Sequence, residues 1–455
     1  MKTGVINIKE AFSSGHRIDP SLHLSEGAKV RSELSHLPYV LTTVANCSSS
    51  IFLGNIFSRC FVSKPEFGVT YLAASDTVLA NIETGRYLSK KQASKLNYLM
   101  LDKDWILVTC SGTLGNVTYT NRTFCNKIAT HDLIRIIPDD IKFKKGCLYA
   151  FLSSKFGYYQ ITQSQFGGVI KHINDKQAGA ILIPKFPDIF QKEVDNLIQE
   201  SSRLREEAAD AIKEAHCIIE EKFDVANEKK SSRVTIQSII SSHNKRFEAS
   251  YHTSKNRSIY DYIVNNCQYV LLGDKSVSKL IFKPNIFKRQ YVEKNGYQLI
   301  GGADMLKRIP STDKMISKRQ ADKMPSLKLS RNYILVTRAG TIGNVAFVDE
   351  QLKDFIVSED VLRVVPADDK AAYYLYAFLS SKIGYKLISL FTYGSVIQHI
   401  EAQHLELVPI PLLDKDLMEH INGLVSSYVT KIEESKQKEI AAINMIESEI
   451  ERWNN

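Results

Sequence analysis

Between Ile106 and Thr120 the chain reads "ILVTCSGTLGNVTYT", and between Ile334 and Val348 it reads "ILVTRAGTIGNVAFV". In both places a short β-branched run meets a glycine-bearing turn and then a second such run, which predicts a hairpin. "LIRIIP", ending at Pro138, and "VLRVVP", ending at Pro366, predict further short strands, each stopped by proline. A different period governs "LYAFLSSKFGYYQI" from Leu148 and "YLYAFLSSKIGYKLI" from Tyr374. Large residues recur there three and four apart, so both stretches predict amphipathic helices. The elements together predict an α+β unit with a mixed or antiparallel sheet, and they predict it twice.

The repetition is close. The 25 residues from Tyr149 match the 25 from Tyr376 at 15 positions. "HRIDPSLH" from His16 matches "KRFEASYH" from Lys245, "NIFSR" from Asn55 matches "NIFKR" from Asn285, and "SKKQA" from Ser89 matches "SKRQA" from Ser317. The offset stays between 227 and 230 throughout, so one globular unit has been duplicated along the chain.

Each unit ends in a proline-bearing strand, "ILIPKFPD" or "LVPIPLLD", after which the pattern lengthens. Phe190, Val194, Leu197, Leu204, Ala208, Ala211, Ala215 and Ile218 fall near alternating three- and four-residue steps, the seam of a coiled coil. Leu417, Ile421, Leu424, Tyr428, Ile432, Ile443, Ile446 and Ile450 do the same less regularly. Either helix, about 55 Å long at 1.5 Å per residue, would expose an apolar stripe that the other can hide. A chain with two such units returns on itself, so the pair is expected to be antiparallel. The expected organisation is a first unit over 1–187, a long helix over 188–228, a second unit over 229–412 and a second long helix over 413–455.

Charge is unevenly placed on this plan. The net charge is +9, yet the stretch from Asp188 to Asp224 holds 11 acidic and 5 basic residues, and that from Asp414 to Trp453 holds 9 and 5. The remainder carries +19, which points to a polyanionic partner for the α+β units and not for the helices. No apolar run of bilayer length and no signal-peptide pattern occurs, so a cytoplasmic protein without membrane contact is expected. Seven cysteines, none in a CxxC pair, are expected to be reduced.

The chain carries no phosphate loop, no dinucleotide fingerprint, no metal-ligand spacing and no methyltransferase "NPP-aromatic" loop. The reading is a non-enzymatic one, with no cofactor of its own. Its binding candidates are polar groups on the repeated motifs. The turns at Gly112/Gly115 and Gly340/Gly343 read either as plain hairpin turns or as rigid loops presenting Ser111, Thr113, Asn116, Arg338, Thr341 and Asn344 to a nucleic-acid backbone. Arg59 and Arg289 of the "NIF" motifs, Lys90, Lys91, Lys318 and Arg319 of the "SK" motifs, and Lys171 and Gln398 near the ends of the repeated helices complete the shared set. Lys64 and Arg122 lie in loops where the two copies differ, and such loops are the candidates for base readout. The seam candidates are Val194, Leu197, Leu204 and Ala208 on one helix and Leu424, Ile432, Ile443 and Ile450 on the other. From the residues alone, a coiled-coil adaptor and a general nucleic-acid-binding protein stay open.

The tandem of "ILVTxxGTxGNV" hairpins and "AFLSSKxGYxxI" helices, each unit trailed by a long helix, resembles the specificity subunit of type I restriction-modification systems. The resemblance covers essentially the whole chain. It implies two target recognition domains, each reading one half of a bipartite sequence in double-stranded DNA. The helices would set the spacing and dock two methyltransferase subunits, with restriction subunits joining the complex. S-adenosylmethionine, and ATP with Mg, would then belong to those partners. No short tandem repeat occurs in the central helix, so variation of the spacer by repeat number is not expected.

Overall fold

Ile106–Thr109 pairs antiparallel with Val117–Tyr119, and Ile334–Thr337 with Val345–Phe347, in a computed structural model that describes residues 23–163, 172–223, 231–241, 245–394 and 398–453. Both predicted hairpins therefore form. In the first unit the hairpin extends to a four-stranded antiparallel sheet through Leu133–Pro138 and Ser48–Phe52. A second sheet joins Phe61–Val62, Tyr87–Ser89 and Gly68–Leu72 antiparallel, then Ile128–Ala129 parallel. Leu41–Thr43 and Leu182–Pro184 close the unit as a two-stranded ribbon. The second unit repeats all three, with the same strand order and the same register shift near Ser278 that the first has near Ser48.

The repeated "AFLSSK" stretch is two helices, Lys145–Ser153 and Lys155–Gln163, meeting at Ser154; the second copy breaks at Ser381. Gly157 and Gly384 make the sharp junction possible. A Cβ at either would lie 2.4 or 2.1 Å from the carbonyl of Phe151 or Phe378. The freed backbone donor at each junction is taken by a long helix: Lys155 N–H donates to Glu447 at 2.7 Å, and Lys382 N–H to Glu220 at 3.3 Å.

The long helices are Asp188–Phe223 and Lys415–Arg452. In the first unit Glu200 pairs with Lys438 at 2.9 Å and Ser201 bonds to Ser435. In the second, Glu207 pairs with Lys431 at 2.9 Å, Glu214 with His420 at 3.2 Å and Lys222 with Asp414 at 3.5 Å. The numbers rise on one helix as they fall on the other, so the packing is antiparallel.

The seam of the first helix runs through Val194, Ile198, Ser201, Leu204, Ala208, Ala211, Ala215, Ile219 and Phe223, all buried. Leu197 packs half-buried at its edge. On the second helix the seam departs from expectation. It follows Ile421, Val425, Val429, Glu433, Lys436, Glu439, Ala442, Ile446 and Ile450. Leu424 and Ile443 flank it, half-buried against the cores, and Ile432 is half-buried beside the polar stretch. The cause is that the middle of this stripe is polar, so a seam traced through apolar residues alone loses the register there.

Two compact units result, and their boundaries cut through the helices, not at the helix ends. One comprises 1–206 with 434–455, the other 207–433. The first core includes Ala442, Ile446 and Ile450 from the second helix; the other includes Ala215, Ile219 and Phe223 from the first helix. All seven cysteines are unbridged. Among the described residues no helix is long and apolar enough to cross a membrane.

Candidate nucleic-acid interface

In each unit the "NIF" loop and the "SK" helix are built into one surface. The helix Lys90–Ala93 is capped by Ser89, whose Oγ accepts from Gln92 N–H at 3.4 Å; in the other copy Ser317 caps Lys318–Asp322 at 3.3 Å. The glutamine of each helix then grips the loop by its backbone. Gln92 Oε1 accepts from Cys60 N–H at 2.8 Å and its Nε2 donates to the Ser58 carbonyl. Gln320 does the same to Gln290, at 2.9 Å, and to Lys288, at 2.7 Å. The loop that carries Arg59 is thereby held against the helix that carries Lys90 and Lys91, and the loop of Arg289 against the helix of Lys318 and Arg319. The four helix cations are exposed and make no ion pair among the described residues. In the second unit the grip leaves an open cleft of about 440 Å³ lined by Gln290, Arg319, Gln320, Lys323 and Met324.

The hairpin turn joins this surface through the segment just before the next strand. In the first unit Arg59 donates to Tyr71 Oη at 2.6 Å and to Thr130 Oγ1 at 3.4 Å, Thr130 donates to Asp132 at 3.2 Å, and Ser111 Oγ donates to Asp132 at 3.1 Å. In the second unit Arg289 makes a two-pronged contact with Glu359 at 3.0 and 3.1 Å, and Arg338 bonds to Asp360 at 2.9 Å. Gly112 and Gly340, at φ +70° and +74°, have open space around them, so the backbone angle alone requires glycine there. Gly115 and Gly343 also have positive φ, and each sits against a tyrosine ring, Tyr158 or Tyr385, instead of another backbone. Thr113 and Thr341 stand exposed at the turn; Asn116 and Asn344 are half-buried.

The two copies differ in how their arginines are balanced. Arg338 also donates to Glu401 at 2.9 and 2.7 Å, and that hydrogen bond holds its guanidinium above the ordinary value. Hydrogen bonds to Tyr291 and Glu359 raise Arg289 likewise. Arg59 has neutral partners in the corresponding place. A phosphate would meet Arg59 uncontested, whereas at Arg289 and Arg338 it would displace a carboxylate. Glu359, which stands where the first copy has His131, and Glu401 make the second surface less cationic; Asp360 has its counterpart in Asp132.

Other candidates fall elsewhere. Lys64 is exposed near Glu66, at 3.8 Å. Arg122 does not join the surface: its backbone N–H donates to Glu206 of the long helix at 2.7 Å, and Glu350 N–H in the other copy donates to Glu433 at 3.0 Å. The loop after the hairpin is a docking contact for the helix. Gln398 is exposed one residue before His399, whose backbone bridges the hairpin at Ala339. Lys171 lies outside the described residues, as does most of "HRIDPSLH". The residues that the motifs did not single out are Gln92, Gln320, Tyr158 and Tyr385. Their identical placement in both copies is the signal that could have found them. Among the described residues no group of three or more His, Cys, Asp or Glu is placed to hold a metal ion.

Comparison with known proteins places the second unit. Residues 275–443 match the family model of the type I restriction modification DNA specificity domain. No curated protein matches the chain. The chain is similar to the solved S subunit of a type I restriction-modification system from M. genitalium, at 11% identity and a TM-score of 0.34, over 92% of this chain and 96% of that one. It is also similar to the HsdS subunit from Thermoanaerobacter tengcongensis, at 13% identity and a TM-score of 0.28, over 92% and 97%. These superpositions are loose.

Proposed function

We propose that this chain is a specificity subunit of a type I restriction-modification system, the family whose DNA specificity domain its second unit matches and its first unit duplicates, and that each unit reads one half of a bipartite DNA target. Such a subunit is a non-catalytic member of its complex. The observation that carries the reading is the surface built once per unit from a Gln-gripped loop, a Ser-capped basic helix and a glycine hairpin. Cations there neutralise phosphates and position the duplex without specifying sequence; the side chains that differ between copies supply the two specificities. Joining two readers in one chain makes the second contact intramolecular, so modest half-site affinities multiply. In this reading the acidic long helices set the separation and dock two methyltransferase subunits, with restriction subunits added to that complex. S-adenosylmethionine, and ATP with Mg, would act on those partners.

The reading is tested by comparing methylation across the genome of cells with and without this gene. Loss of one split motif with a fixed gap on deletion is the expected result. An unchanged methylation pattern, in cells that express the chain and its methyltransferase, would refute it.

A further inference from the structure

Ile56 and Ile286 hold the same place in the two copies, and they are 85% and 80% exposed. We propose that these two isoleucines, each with the exposed aromatic five residues on, Phe61 or Tyr291, make apolar contact with the bases of duplex DNA inside a ring of phosphate-binding cations. The inference rests on the DNA-reading function above and assigns it two residues.

The loop is built to hold the isoleucine outward. The next residue, Phe57 or Phe287, packs against the small core beneath the loop, where Leu88 and Leu99, or Ile316 and Leu327, are buried. Gln92 and Gln320 fix the backbone on the far side, as described. In the first copy the near side is fixed as well: Asn55 N–H donates to Tyr98 Oη at 3.2 Å, and a Cβ at Gly54 would come within 2.7 Å of Leu99. A fixed, exposed aliphatic side chain adds little to folding. Yet the copies, which differ at Gly54/Pro284, Ser58/Lys288 and Cys60/Gln290, both have isoleucine here. Packing explains why Phe57 and Phe287 agree, but it does not explain this agreement. A shared surface partner does.

The surroundings say which partner. Arg59, Lys90 and Lys91 border the first isoleucine loop, and Lys288, Lys318 and Arg319 the second. A cationic rim selects a polyanion over an apolar protein groove, and in a duplex the apolar groups within reach of such a rim are thymine methyls and base faces at an opened step.

The test is binding of the full chain, assembled with its methyltransferase subunits, to a duplex carrying the methylation-mapped target over a range of salt. Ile56→Ala and Ile286→Ala are each expected to weaken binding by roughly ten-fold. The slope of log K against log salt should stay as in the parent, because no phosphate contact is lost. Lys90→Ala, by contrast, should reduce that slope by about 1. Ile→Leu at either site should keep most of the affinity. Unchanged binding by the Ile56→Ala/Ile286→Ala double variant, or a loss accompanied by a shallower slope, overturns the inference. A parent complex that binds the mapped duplex no better than an unrelated one overturns the DNA-reading function itself.

Discussion

Arg135 and Arg363 have no exposed surface, although each carries a charge into the middle of a strand. The terminal nitrogens of their guanidinium groups donate to main-chain carbonyls, while each Nε is buried without a partner. Arg135 donates to Leu133 at 2.9 Å, Ala129 at 2.9 Å and Thr130 at 3.0 Å; Arg363 donates to Ser358 at 2.9 Å, to Val357 at 2.5 Å and to Val361. The carbonyls of Ala129 and Thr130, and of Val357 and Ser358, lie on and after the parallel strand of one sheet, while the arginine lies in the other, so each side chain ties the two sheets of its unit. Burial lowers each pKa to about 10, which leaves the group charged at neutral pH. Arg135→Ala or Arg363→Ala should lower the unfolding free energy by roughly 3–5 kcal/mol, through unpaired buried carbonyls and a cavity. Lysine should restore little, because one ammonium cannot span the fork of acceptors. Denaturant unfolding of the full chain checks this; a loss under about 1 kcal/mol would mean water replaces the guanidinium. The strand itself was legible in "LIRIIP", but the role of its arginine was not. In an alternating strand Arg135 reads as an outward residue, and only the second sheet packed over that face makes it an inward one.

Among the elements, the long helices carry the clearest difference between the units. In the first, buried Glu439 accepts from Tyr149 Oη and pairs with Arg205. In the second, Tyr376 instead stacks on Tyr428 at 5.7 Å and shares a hydrogen bond of 3.2 Å with it. Glu439→Ala would leave the Arg205 charge largely buried without its carboxylate, so a cost of roughly 3 kcal/mol or more is expected, read by thermal or denaturant unfolding. Leu204→Asp puts an unpaired charge in the same seam and should cost several kcal/mol. His216 gives the second unit a pH dependence. Its ring bonds to Ser380 at 2.8 Å, and burial lowers its pKa from 6.5 to about 4. The folded chain keeps it neutral where the unfolded chain protonates it. Its stabilisation is therefore complete above pH 6.5 and falls as pH drops from 6.5 towards 4, by roughly 2–3 kcal/mol. His216→Gln should flatten stability over that interval; an unchanged acid slope would place the titration elsewhere. Heptad periodicity revealed these helices and their pairing. It missed the register between Val429 and Ala442, because Glu433, Lys436 and Glu439 look like surface residues until their partners are known.

For the whole molecule, duplication was the strongest message in the sequence, and it extends to contacts the motifs alone could not disclose. Glu206 and Glu433, like Glu220 and Glu447, sit 227 residues apart and receive the same backbone donors in the two copies. Less legible was the way the units close. The first is completed by residues 434–455, so deleting them should expose Val194 and Ile198 and destabilise that unit, while 207–433 keeps its own core. Limited proteolysis of the truncated chain should cut within 23–206 first. The central claim, that each unit reads its own half of the target, is met most directly by exchanging one reader. A chimera whose residues up to about Pro184 come from a related subunit keeps both long helices. Methylation mapping of cells carrying it should show one half of the modified sequence changed, with the other half and the gap between them as before. Both halves changing together, or a shift in the gap, would contradict the assignment of one unit to one half-site.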